Sequence, residues 1–347
     1  MKPAPEVPAT LSLAHPEFAP RAPKAGLNGQ KLAVLCGLIG VTVALPFILS
    51  SYHTYIATQV MIFAIATLGL DILYGRAGQL SLAHASFFGL GAYVAALSSS
   101  YEVSVLLQVP LVIMLAVVFG VVLAVPTLRL SGLRLALVTL LFGELFLWVI
   151  NHTGELSGGS QGITVTPLTI GAFDSSDPLH GYSLAAVASI LATVACLQLG
   201  RTQYGRRMLA VRDSELASAS VGIHVARTKI VAFILSAVLA GIAGWIYAYV
   251  VGFISPTTFD LFGSVNFLVA VILGGSGRVL GAWLGALYIV LVPELFNSIG
   301  YSNLFPIIGG GVMIVVALLM PGGLAEGLRR IAGTVPAATS GDSRVGQ

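Results

Sequence analysis

The sequence predicts an all-α polytopic membrane protein of about ten transmembrane helices, with the N-terminus and C-terminus cytoplasmic. Three observations predict it. Of the 347 residues, 56% are hydrophobic and only 9% are charged, whereas a soluble domain carries about 25% charged residues to face water. The apolar residues gather into runs at 32–50, 54–73, 82–99, 104–125, 133–151, 183–200, 229–251, 263–274, 279–296 and 303–320. Crossing a bilayer core takes about 20 apolar helical residues, and helix is the default because the backbone must satisfy its own hydrogen bonds there. The third observation is the placement of the 17 Lys and Arg. If every run crosses from a cytoplasmic N-terminus, all of them fall in inner segments or, for Arg134 and Lys229, at inner helix ends from which they can snorkel. The longest outer loop, 152–182, has no Lys or Arg but carries Glu155, Asp174 and Asp177.

The elements follow in order. Residues 1–30 are polar and rich in Pro and Ala, and read as a disordered cytoplasmic tail. The run at 32–50 is too long for a signal-peptide core and lacks a clean cleavage site, and Leu35 before Cys36 argues against lipoprotein processing. The transmembrane unit spans 31–323, with its longest inner loop at 204–229, and 324–347 forms a cytoplasmic C-terminal tail. Cys36 and Cys196 both lie in apolar runs, which argues against a disulfide framework. The eighth run, 263–274, is short enough to be a half-span or re-entrant segment. Glycine is abundant, at 40 residues, and Gly89 and Gly91, Gly241 and Gly244, and Gly281 and Gly285 are spaced for close helix approach. A faint internal echo links Gly75-Arg-Ala-Gly78 with Gly274-Gly-Ser-Gly277-Arg278.

Few residues invite a chemical role. Gln79, Ser81, His84 and Ser86 enter a span together, where polar groups are costly and turn toward a bundle interior or a cavity. A broken helix with a polar mouth and simple interhelical hydrogen bonding account for them equally well. His84 has no second His or Cys at metal-ligand spacing. Glu144, deep in the fifth run, could line a path, bind a proton, pair with a neighbouring subunit or be packed neutral. Asp71 pairs most simply with Arg76, and Glu294 can reach water. Ser157-Gly-Gly-Ser-Gln-Gly162 is no phosphate loop, since neither a preceding strand nor a following Lys-Ser/Thr accompanies it. With no nucleotide motif, metal cluster or nucleophile beside a base, the chain reads as no enzyme. Any active transport would draw on an ion gradient or another subunit.

The stretch Tyr204–Lys229, YGRRMLAVRDSELASASVGIHVARTK, interrupts the apolar pattern most strongly. Asp213 or Ser214 can cap a short helix, Glu215 suits its first turn, Ala217 and Ala219 keep it slim, and Gly222 can end it. Such a helix suits a partner's groove, although from the residues alone an ordinary basic loop explains the stretch better.

The ordered motifs resemble those of LivM-type permeases, the membrane subunits of bacterial ATP-binding-cassette importers for branched-chain amino acids. GRAGQLSLAHASFFGLGAY, LRLSGLRLALVTLLFGEL, SGGSQGI, GRRMLAVRDSELASASVGI, GFISPTTF, LGGSGRVLGAWLGA and PGGL occur in that order from about Gly69 to Gly323. The resemblance implies a bacterial inner-membrane location, a LivH-type permease partner, two ATPase subunits and an extracytoplasmic amino-acid binding protein, with no nucleic acid involved. ATP and Mg would be bound by the ATPases, with no cofactor in this chain. It also turns the 204–229 loop into an ATPase-coupling helix carrying Asp213, Glu215, Ala217, Ala219 and Gly222. Gln79, Ser81, His84 and Glu144 become the path candidates. Leucine, isoleucine and valine are the expected substrates, with urea, short amides and other amino acids as alternatives. An ion-coupled secondary transporter is the reading of a different class, with Glu144 or Asp71 carrying the proton.

Overall fold

A computed structural model of the chain describes residues 48–300 apart from 129, 131 and 172, together with 37, 40, 42, 45, 46 and 323–325. Residues 1–43 and 44–347 form separate units, and the elements that follow belong to the second. The run expected at 303–320 and the N-terminal tail lie outside the described residues, as do more than half of the run at 32–50 and nearly all of the C-terminal tail.

The described helices follow the apolar runs. They are α1 (Ser51–Leu70), α2 (His84–Ser100), α3 (Val105–Thr127), α4 (Leu133–His152) and the single turn α5 (Gly154–Ser157). After these come α6 (Pro178–Leu199), α7 (Gln203–Asp213), α8 (Glu215–Ser220), α9 (Val225–Val251), α10 (Leu261–Gly274) and α11 (Val279–Ser298). α1 runs on into a π-helical turn, Asp71–Arg76. Six of the described helices are long and apolar enough to cross a membrane: α1 with its π turn, α3, α4, α6, α9 and α11. At 14 residues, α10 is about 21 Å long, well short of a bilayer core of about 30 Å. It is the short eighth run of the sequence. α6 begins ahead of its apolar run because Asp177 accepts a hydrogen bond from Leu179 N at 2.8 Å and Pro178 occupies the first helical position.

α9 packs most extensively, against α2, α3 and α1, while α1 also packs against α6 and α11, and α10 lies along α11. α1 is therefore enclosed, with Ile62, Ile65, Leu68 and Leu70 essentially inaccessible. Lipid supplies no hydrophobic force between helices, so their association depends on close backbone approach. The spaced glycines provide it. A Cβ on Gly91 would strike the Gly241 carbonyl, and one on Gly244 the Phe88 carbonyl. Gly274 and Gly281 meet in the same way between α10 and α11.

Two short sheets cover the end away from α7 and α8. β1 (Ile163–Thr164) pairs antiparallel with β4 (Phe253–Ile254), and β2 (Thr169–Ile170) pairs with β3 (Phe173–Asp174). β1 and β4 join the SGGSQGI and GFISPTTF segments. Gly162, at φ 80°, leaves room for the Ile254 carbonyl that a side chain would strike.

Candidate functional site

At one end of the bundle, several backbone interruptions meet. The π turn Asp71–Arg76 gives way to an irregular, non-helical stretch before α2 starts at His84. Asp71 is 1% exposed, and its carboxylate accepts a hydrogen bond from Gly277 N at 2.5 Å. Its other oxygen lies 3.8 Å from Arg76 Nε. Arg76 Nη1 donates to the Cys196 carbonyl at 2.9 Å, near the end of α6. Arg212, from α7, donates to the Gly75 carbonyl. The Gly75–Gly78 and Gly274–Arg278 segments that echo one another in sequence thus lie side by side. Gly75 abuts the Gly277 amide with no room for a side chain, and Gly78 lies under Arg212. A charge pair at this depth is tolerable only with such added hydrogen bonds.

Beyond this joint lies the polar stretch. Gln79, Ser81, His84 and Ser86 are all buried. His84 Nε2 lies 2.8 Å from the Ala66 carbonyl. A carbonyl can only accept, so Nε2 carries the hydrogen and Nδ1 faces Ser236 Oγ at 3.4 Å. The backbone is capped from neighbouring helices, with Leu82 N donating to Thr139 Oγ1 at 2.9 Å and Ala85 N to Ser264 Oγ at 3.1 Å. Ala83 N donates to Ser81 Oγ at 3.3 Å. Both amide atoms of Gln79, the Ser86 hydroxyl and the Tyr93 hydroxyl are buried with no hydrogen-bond partner among the described residues. Buried polar groups without partners are uncommon, and water or a passing polar ligand would satisfy them.

Glu144 does not join this group. It faces outward from α4, on the same side as Leu137, Leu141, Leu145 and Trp148, each more than half exposed. The adjacent Gly143 is buried within reach of Ser86.

The 204–229 loop forms a helical hairpin. Thr202 caps α7 by accepting from Gly205 N at 3.2 Å, and Ser214 caps α8 by accepting from Ala217 N at 3.2 Å. Asp213 is the last residue of α7, Glu215 the first of α8, and Gly222 ends the turn with φ 80°. Gly205, Met208 and Val211 bury one face of α7. α8 presents Leu216, Ala217 and Ala219 outward, Val221 just beyond it is exposed too, and Leu216 is 87% exposed. Glu215 ties the hairpin to α9 through a 2.7 Å bridge to Lys229, whose side chain is 6% exposed.

Sequence reasoning missed the Glu215–Lys229 bridge, the Arg212–Gly75 bond and the capping by Thr139 and Ser264. It also missed a buried knot in which Gln108 Oε1 accepts from Trp245 Nε1 at 2.9 Å and Tyr249 OH at 2.7 Å. The sequence signal for the first was a single lysine at the mouth of an apolar run. The glycine echo was the signal for the second. Among the described residues, no three His, Cys, Asp or Glu side chains could hold a metal ion.

The family model described as "Branched-chain amino acid transport system / permease component" matches residues 52–317. The chain is 32% identical over 338 residues to the high-affinity branched-chain amino acid transport system permease protein LivM of Escherichia coli K12, covering 90% of this chain and 79% of that protein. LivM of Salmonella typhimurium LT2 is also 32% identical, over 320 residues, covering 85% of this chain and 75% of the relative. The ribose import permease protein RbsC of Escherichia coli K12 is 27% identical over 306 residues, covering 86% of this chain and 94% of the relative. No solved structure matches.

Proposed function

From the premise that this chain belongs to the branched-chain amino acid transport system permease family, we propose that it is a permease subunit of an ATP-binding-cassette importer for branched-chain amino acids. It is a multi-pass protein of the bacterial inner membrane and a transport subunit rather than an enzyme. Its partners are ATPase subunits and an extracytoplasmic binding protein. In the finer reading, a related LivH-type permease completes the pathway and two ATPases hold ATP and Mg. Ten spans leave both termini on the ATPase side.

One observation carries the coupling role: the α7–α8 hairpin. It is rigidly capped and anchored to α9 by Glu215, yet it presents an uncovered apolar knob at Leu216 and Val221. A knob of this kind fits a groove on an ATPase. Movement of the hairpin reaches Gly75 through Arg212, and from there the polar stretch Gln79, Ser81 and His84. Those residues line the path in this reading. Glu144 lies on the α4 face that meets the second permease, because a carboxylate turned to lipid would be costly. ATP closure shifts the pathway between two states that differ in substrate affinity.

The test is purification through an affinity tag from the native membrane. ATPase subunits should accompany the wild-type chain and be lost from Leu216→Asp, a side chain that contributes almost nothing to the permease's own packing. A chain that arrives alone, and imports leucine into vesicles without ATP, would refute the reading in favour of ion coupling.

A further inference from the structure

At the opposite end of α1 from Asp71, about 28 Å along the helix, α1 and α11 part around a half-open cavity of about 400 Å³. Small-molecule sites fall in a range of about 300–1,000 Å³, with an apolar lining and a few convergent polar groups. The polar groups here are Glu294, Tyr52, Tyr55, Gln59 and Asn297. Tyr52 donates its hydroxyl to the Glu294 carboxylate, which fixes the carboxylate at the cavity wall. Among the described residues no Lys or Arg pairs with Glu294. Pro293, within α11, also lines the cavity. A proline in a helix has no N–H for the carbonyl four residues earlier, which here is that of Ile289, another lining residue. The wall therefore offers a carboxylate and a backbone carbonyl freed from its helical bond, both acceptors. Gln59 and Asn297 supply amide donors. Ile56 and Val290 make the remaining wall apolar.

The floor of the cavity is Phe63. Its ring stacks on Phe88 at 5.8 Å and meets Phe267 at 5.5 Å, and Phe267 in turn meets the edge of His84 at 5.3 Å. A layer of aromatic rings thus separates the cavity from the buried polar stretch on the far side.

We propose that this cavity is the first substrate station of the permease, accepting a zwitterionic amino acid with an aliphatic side chain. The ammonium group binds Glu294 and the Ile289 carbonyl, the carboxylate meets the Gln59 and Asn297 amides, and the side chain lies against Ile56 and Val290. Phe63, Phe88 and Phe267 form the closed seal beneath it. The proposal rests on the branched-chain amino acid reading above, and it adds the site and the chemistry of recognition.

The test uses the complete transporter purified through this chain, in proteoliposomes, with loaded binding protein outside and ATP inside. Glu294→Gln should cut leucine import at least tenfold while ATP turnover stimulated by the binding protein persists, and Glu294→Asp should recover part of the loss. In a separate variant, Asn297→Cys should react with a membrane-impermeant thiol reagent, and leucine-loaded binding protein should slow that reaction. Wild type that imports no branched-chain amino acid would overturn the substrate reading itself. Wild-type import with Glu294→Gln within twofold of it, or Asn297→Cys labelling indifferent to substrate, would overturn the cavity proposal alone. If Glu294→Gln fails to accumulate in the membrane, the labelling result decides.

Discussion

Replacing Asp71 by Asn keeps a side chain of the same shape in the same buried place and removes its charge. Asp71 lies 3.8 Å from Arg76 Nε and is 1% exposed. At that separation the attraction is about 4 kcal/mol with an effective dielectric constant near 20. The new amide oxygen can still accept from Gly277 N, so that bond survives. What is lost is the partner of a buried guanidinium, whose Nε has no other partner among the described residues and whose Nη1 holds the Cys196 carbonyl. Removing one member of a buried pair costs about 3–5 kcal/mol, in line with the Coulomb figure. Asp71→Asn should therefore destabilise the folded chain by about 3–4 kcal/mol. Adding Arg76→Met to the Asp71→Asn variant should recover most of this. It removes the orphaned charge and forfeits only the Cys196 bond, worth about 1 kcal/mol. The assay is a double-mutant cycle of unfolding in mixed detergent, followed by tryptophan fluorescence. A coupling energy of about 2 kcal/mol or more is expected, within the range for residues in direct contact. Asp71→Asn within about 1 kcal/mol of wild type, or strictly additive effects, would show that the pair contributes nothing and that the joint is held by backbone packing alone.

Other substitutions have equally definite outcomes. Gly91→Val places a branched side chain against the Gly241 carbonyl, so α2 and α9 must separate. A loss of at least about 3 kcal/mol, or failure to accumulate in the membrane, is expected by quantitative blotting, and wild-type levels and melting would contradict the close-approach argument. Gln108→Leu leaves Trp245 Nε1 and Tyr249 OH without their shared acceptor, and thermal unfolding should show a cost of about 2–4 kcal/mol. Lys229→Met removes the partner of half-exposed Glu215 at a stability cost of about 1 kcal/mol. Its main effect should be looser tethering of α8, read as faster amide exchange at residues 215–220 with the transmembrane helices unchanged.

Much of the architecture was legible because it is local. A run of apolar residues is visible within a window of about twenty, and each described membrane-spanning helix lies on such a run. The caps of α8 were legible for the same reason, since Ser214 and Gly222 act on backbone groups within a turn of themselves, but α7 ahead of it was not foreseen and the residues alone favoured an ordinary basic loop. The site was less legible. Asp71 and Gly277 are 206 positions apart, and Trp245 and Gln108 are 137 apart. Nothing in either neighbourhood names the other. Glu144 shows the converse case. Its depth in an apolar run gave it the same status as Gln79, Ser81 and His84, but the helical phase of α4 turns it outward, whereas those three are buried.

The sequence by itself determined that the chain is a helical membrane protein, where its apolar helices lie and where the polar stretch 204–229 interrupts them. These follow from hydropathy and from hydrogen bonds closed over three or four residues. The tertiary structure alone decided which polar groups meet: Asp71 with Gly277, Arg212 with Gly75, Glu215 with Lys229 and Tyr52 with Glu294. The physical reason is that lipid offers no general force to order the helices. Their neighbours and rotations are instead set where glycine backbones touch, and that is a property of pairs of distant surfaces.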